Sequence, residues 1–239
     1  MSGREAELAE RLAVVRGRIA DACALAGRAP GEVTLVVVTK FFPASDVRVL
    51  AGLGVTDVGE NRHQEAEAKA ADCASEGLRW HMLGGLQSNK AAAVTRWAHV
   101  VESVDRAKLV GRLDGGAAEH AADRGGAPLE CLVQVSLDAP GAGSARAGVE
   151  PGGLAGLAAR VADTEHLRLA GLMAVAPTDV EPARAFEELA RVRETLLAEH
   201  PDARVLSAGM SGDLEEAIAV GATHVRVGRA VLGERPPNQ

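Results

Sequence analysis

Lys40 stands within TLVVVTKFFP, residues 34–43, where six apolar or β-branched residues lead directly into an amine. In an extended segment Thr34, Val36, Val38 and Lys40 share one face, and Leu35, Val37 and Thr39 share the other. An amine at the end of a buried strand is partly desolvated, which lowers its pKa and makes it a nucleophile toward aldehydes. The same position also suits a lysine whose stem packs on the strand end while its head reaches solvent. A second unusual charge stands in THVRVGRAVLG, residues 223–233, where His224 and Arg226 face away from Val225 and Val227. An arginine turned into an interior needs a carboxylate, a ligand or both, and a purely structural ion pair is the alternative. SAGMSGDLEEAI, residues 207–218, places Ser211 and Gly212 before a helical pattern, with Asp213 and Glu216 at capping-box spacing. Small residues there, and at Gly228, let backbone N–H groups approach an anion. Asn61, in GEN, suits either a phosphate donor or, on spacing, a cap for the next helix. His81, in WHMLGGLQSNK, suits a pocket wall or a hydrogen-bonded core histidine.

These residues are carried by a regular alternation. Short apolar runs fall at 33–40, 55–59, 79–85, 99–104, 129–137, 167–175, 204–210 and 223–228. Ala-, Glu- and Arg-rich segments such as 45–53, 61–76, 105–123 and 182–199 separate them and are long enough for helices. The alternation predicts parallel strands joined by helical crossovers. Eight such units predict an α/β fold, a closed (β/α)₈ barrel of the TIM type. An open doubly wound sheet would need a glycine fingerprint after its first strand, which is missing. Residues 4–27 carry Leu8, Leu12, Val15 and Ile19 at helical spacing and end at Gly27, predicting an additional N-terminal helix. The expected organisation is one domain over 1–239, with residues 1–28 packed on the barrel and 236–239 a tail. Under this reading Lys40 lies at the C-terminal mouth, where such barrels hold their chemistry. The 207–218 and 226–233 segments follow strands seven and eight, the usual place of a phosphate site. DAPGAGSARAGVEPGG, residues 138–153, is then a loop on the same face.

Composition removes several classes. The net charge is −7, with 47% hydrophobic and 25% charged residues, and the few aromatics are not interleaved with arginine, which argues against nucleic acid. No apolar run approaches the roughly 20 residues of a membrane span, and the charged opening MSGREAELAERL leads us to expect a cytoplasmic protein. Cys23, Cys73 and Cys131 have neither metal-ligand nor disulfide spacing and read as buried bystanders. Lysine occurs only at 40, 69, 90 and 108, and tyrosine not at all. With no long apolar surface stripe after the first helix, a monomer is expected.

In order and spacing, VTK, GEN, WHMLGGLQSNK, SVD (103–105), GLM (171–173), GMSGD (209–213) and THVRVG resemble the YggS/PROSC family of pyridoxal phosphate homeostasis proteins, relatives of the barrel domain of alanine racemase. The similarity covers residues 5 to 235. It implies pyridoxal 5′-phosphate (PLP) as cofactor, with Lys40 as its Schiff-base lysine. It also implies a phosphate surrounded by Asn61, Ser211 and the backbone of Gly228 and Arg229, with Arg226 facing the pyridine nitrogen. His81 and Met210 complete the implied site, no metal belongs to it, and PLP-dependent apo-enzymes are the implied recipients. The sequence departs from the pattern at Arg229, where relatives carry serine or threonine, and at Gly85, Ser136, Arg146 and Ala208.

Three other readings stand beside the non-catalytic carrier. A PLP-dependent amino-acid racemase would need a second base, which in alanine racemase-like enzymes is a tyrosine from a separate β domain. A cofactor-free aldolase would use Lys40 on a sugar-phosphate carbonyl. A purely structural barrel would leave both Lys40 and Arg226 without a task.

Overall fold

The computed structural model describes residues 3–138 and 147–234; Arg146 and the 236–239 tail lie outside the described residues. Eight parallel strands close on themselves in sequence order: β1 Thr34–Val38, β2 Asp57–Glu60, β3 Arg79–Met82, β4 Val100–Val104, β5 Leu129–Gln134, β6 Leu167–Met173, β7 Val205–Ser207 and β8 His224–Val227. Seven lie wholly within the apolar runs, and β2 extends one residue past its run, to Glu60. Between them run α2 Ala44–Gly52, α3 His63–Asp72, α4 Ala91–Val94, α5 Ala107–Glu119, α6 Leu154–Ala162, α7 Pro182–Glu199 and α8 Leu214–Ala219. Helix α1, Gly3–Leu25, precedes the barrel, and α9, Arg229–Leu232, follows β8.

The main apolar layer lies between strands and helices and includes Val37, Val58, Val101, Val133, Val225 and Val227. The barrel interior is divided. Val100, Leu132, Ala170 and Met173 fill the β4–β6 side, whereas Asp57, His81, Glu102, Ser207 and Arg226 are buried polar residues of the strands themselves. In the β1–β8 pairing Val36 stands opposite Arg226 and Val37 opposite Val227, so strand alternation sends Arg226 inward. A register shift between β5 and β6 falls beside Gly171, where φ is +153° and an added Cβ would lie 1.9 Å from the Val205 carbonyl oxygen. Only glycine lets the strands approach so closely there.

Helix α1 buries Leu8, Leu12, Val15, Ile19, Ala22 and Cys23 against the barrel's helical layer, and the chain turns off it at Gly27, φ +66°. Arg4 and Arg18 of the helix, with Arg28 just beyond it, fasten it. Arg4 pairs with Asp46 at 2.6 Å, Arg28 donates to the carbonyls of Ile218 and Ala222, and Arg18 pairs with Glu215 and donates to the Ser211 carbonyl at 3.0 Å. The helix therefore holds a mouth loop from outside as well as covering apolar surface.

Candidate functional site

A cleft of about 740 Å³ opens at the C-terminal mouth, lined among others by Lys40, Met210, Ser211, Arg226, Gly228 and Arg229. Three strand exits contribute. Lys40 sits in the turn after β1, half-buried, while Thr39 still follows the ladder by donating to the Gly59 carbonyl at 3.0 Å. Met210 and Ser211 follow β7. Gly209 makes that turn at φ +89°, where a Cβ would lie 2.7 Å from Ala217 Cβ. Asp213 does not form the expected capping box: its Oδ1 accepts from the Met210 N–H at 2.5 Å, and no side chain caps α8. The carboxylate is spent on closing the loop, and Arg18 holds the loop's other side. Gly228 ends β8; a Cβ there would sit 3.2 Å from the Val38 carbonyl oxygen, so glycine permits the β1 and β8 exits to meet. Arg229 is exposed and opens α9, whose first N–H groups have no partner within the helix. Lys40, Arg226 and Arg229 face one lining carboxylate, Glu234, so the cleft suits an anionic ligand.

Asn61 and His81 are not among the lining residues. Asn61 follows β2 on the rim, its backbone so close to Gly84 that a Cβ on residue 84 would lie 2.2 Å from the Asn61 carbonyl oxygen. It does not cap α3, as spacing favoured; Arg62 holds the N-cap position without a side-chain bond. His81 lies inside the barrel, 1% exposed, with Nε2 2.9 Å from Asp57 Oδ1 and Nδ1 2.7 Å from Glu102 Oε1. Glu102 Oε2 accepts from Ser207 Oγ at 2.6 Å, and Ser207 in turn accepts from Arg226 Nη1 at 2.7 Å. Arg226 Nη2 donates to the Ala174 carbonyl at 2.8 Å, and its closest approach to Glu102 is 3.9 Å. The carboxylate partner of the inward arginine is therefore Glu102, mostly through a serine. Two of the five guanidinium N–H groups are used in these bonds, and the side chain also lines the cleft floor.

The electrostatics follow from this chain of contacts. Burial alone would lower the His81 pKa, but hydrogen bonds and charge from Asp57 and Glu102 outweigh it and hold the imidazole raised. Burial would raise Glu102, yet His81, Arg226 and Ser207 keep it low. Burial lowers Arg226, with Glu102 opposing. A histidine raised in the folded state contributes stability that is fully present below about pH 6.5, its unfolded value, and is lost as pH rises through the folded value. We expect nitrogen NMR shifts to show His81 titrating above an ordinary imidazole, and thermal stability to decline on the alkaline side as that ring deprotonates. A His81 midpoint at or below the ordinary histidine value would contradict this.

Glu102 and Ser207 were not singled out from the sequence. A signal existed: Glu102 is a lone carboxylate in the apolar run HVVESV, and Asp57 another in VTDVG. Strand parity can mark such residues as inward, but Ser207 and Glu102 are 105 positions apart, and their meeting depends on barrel closure.

The fold and mouth define a class before any particular relative is considered. The family described as alanine racemase, N-terminal domain, matches residues 19–236. The pyridoxal phosphate homeostasis protein of Mycobacterium tuberculosis is 45% identical over 246 residues, covering 97% of this chain and 94% of its own. The chain belongs to the family of the pyridoxal phosphate homeostasis proteins, within the alanine racemase N-terminal-domain family. Among solved structures, an unknown protein from Bifidobacterium adolescentis superposes with a TM-score of 0.85 at 31% identity, over 97% of this chain and 96% of that one. PipY of Synechococcus elongatus PCC7942, solved with PLP bound, superposes with a TM-score of 0.79 at 33% identity, over 95% of this chain and all of that one. Among the described residues no helix is long and apolar enough to cross a membrane.

Proposed function

We propose that the chain binds PLP in the mouth of its barrel, anchored on Lys40, and acts as a non-catalytic carrier in PLP homeostasis. The observation that carries this reading is the convergence of Lys40, Ser211, Arg226, Gly228 and Arg229, from three strand exits, on one cleft. The residues fit the group. The volume of about 740 Å³ lies within the roughly 300–1,000 Å³ of small-molecule sites, and the donor set joins a primary amine to hydroxyl, guanidinium and glycine-backbone groups. When bound, PLP supplies an aldehyde that forms a Schiff base with an amine and a phosphate that takes cationic and N–H donors.

Lys40 offers the amine. Ser211 and the backbone N–H groups of Arg229 and Ala230, which follow Gly228, offer donors to the phosphate, and Arg229 adds a full charge. Arg226 is donor-only and permanently charged. A ring nitrogen set against it must accept and so stays unprotonated, which disfavours carbanion chemistry and suits storage or delivery. Glu102 and His81 act on the site through Ser207 by fixing Arg226. Asn61 supports the rim beside Gly84. On this reading the protein works as a monomer, and its recipients are PLP-dependent apo-enzymes.

Titrating the purified chain with PLP tests the proposal. A visible Schiff-base band should saturate at one cofactor per chain, and pyridoxal lacking the phosphate should bind far more weakly. No band, or equal binding of the two aldehydes, would remove the amine or the phosphate site respectively.

A further inference from the structure

Behind β1, on the helix side of the barrel, lies a second buried charge cluster that does not line the cleft. Lys69 of α3 is 6% exposed, and its ammonium donates to the Thr39 carbonyl at 2.9 Å, to Glu60 Oε1 at 2.6 Å and to Glu65 Oε1 at 2.9 Å. An ammonium has three protons, and all three are used. Both carboxylate oxygens are shared with the chain around residue 40. Glu60 Oε1 also accepts from Thr39 Oγ1 at 2.7 Å, and Glu65 Oε1 also accepts from the Phe41 N–H at 2.6 Å. The cluster thus grips the carbonyl of the Thr39–Lys40 peptide and the N–H of the Lys40–Phe41 peptide, the two units flanking Lys40.

What it holds is strained. Phe41 has φ +71°, the only positive value at a non-glycine residue among those described. A bulky residue adopts this conformation only where its surroundings over-determine it. Buried ion clusters of this kind add little net stability, because desolvation offsets their attraction. Here one acceptor is left over: Glu60 Oε2 is buried without a hydrogen-bond partner. The consequence of the cluster is therefore geometric, since it fixes the backbone from which the Lys40 side chain departs.

We infer that Lys69, with Glu65, is a positioning residue that sets the direction of the Lys40 amine toward the cofactor aldehyde. This rests on the reading of Lys40 as the anchoring amine. A misplacement near 1 Å at a reacting group costs up to roughly a hundredfold in rate; with one of several restraints on the amine lost, we expect PLP capture about tenfold weaker.

The test compares Lys69→Met and Glu65→Ala with wild type and with Glu130→Gln. Glu130 pairs with Arg79 and Arg168 at the opposite end of the barrel, so its variant weakens a partly buried ion cluster without touching Lys40. PLP is the probe. Affinity is read from the visible band, the fixed orientation of the chromophore from its visible circular dichroism, and the modified residue from borohydride trapping. Lys69→Met and Glu65→Ala should each bind PLP about tenfold more weakly, with reduced dichroism per bound cofactor, and Glu130→Gln should retain both wild-type values. If Lys69→Met does not fold, Glu65→Ala, at a partly exposed position, decides. Wild-type affinity and dichroism in the folded variants, or an equal loss in Glu130→Gln, would overturn the inference. Trapping of wild type at a residue other than Lys40 would instead overturn the reading beneath it, and the inference with it.

Discussion

Lys40→Ala is expected to abolish the visible band and the borohydride-stable adduct while leaving the barrel folded. The reason is positional. Lys40 lies in a half-buried turn beyond the end of β1, outside the apolar layer that includes Val37, Val58, Val225 and Val227. Its truncation removes the amine but little buried apolar area, and surface-type substitutions usually change stability by no more than about 0.5 kcal/mol. The backbone at this point is held by Thr39, Glu65 and Lys69, none of which needs the Lys40 side chain. Far-ultraviolet dichroism and a thermal melt should match wild type, with the spectrum alone changed. A variant that kept the long-wavelength band through denaturation after borohydride would place the anchor on another amine. A variant that failed to fold would show Lys40 to be structural.

Glu102→Ala is expected to have the largest effect on stability. Glu102 is fully buried, accepts from His81 and Ser207, and is the carboxylate that balances Arg226. Its removal leaves a raised histidine with one carboxylate instead of two and an arginine without a counter-charge. Breaking a buried pair by removing one partner costs about 3–5 kcal/mol, and in a chain of this length that corresponds to a fall in Tm of roughly 10 °C. PLP binding should weaken as well, because Ser207 loses the acceptor that orients it toward Arg226. Glu102→Gln, which keeps an acceptor for Ser207, should fall between alanine and wild type. A Tm within experimental error of wild type for Glu102→Ala would contradict the role of Glu102 as the carboxylate that balances Arg226 and His81.

The alternation of apolar runs with helical segments was sufficient to read the barrel, because parallel strands buried on both faces leave near-continuous apolar stretches. Strand parity was sufficient to turn Arg226 inward and Val227 toward the helices. Other features were not legible, for two physical reasons. The first is that partners meet only through closure: Glu102 and Ser207 come from β4 and β7, and no local pattern pairs them. The second is that one residue type serves competing local bonds. Asp213 had the spacing of a cap, yet its carboxylate turns back to the Met210 N–H, and Asn61 had the look of a cap, yet Arg62 takes that position. Lys69 shows both at once. Its place among alanines and glutamates in HQEAEAKAAD reads as a solvated helix face, and only packing of α3 behind β1 reveals three buried bonds.

The central claim is that one amine at the barrel mouth anchors the cofactor. Its most direct test is borohydride reduction of the PLP-loaded protein, followed by proteolysis and mass spectrometry of the labelled peptide. The account predicts a single phosphopyridoxyl group on Lys40. Label on Lys69, Lys90 or Lys108 in place of Lys40, or no label on any lysine, would contradict it.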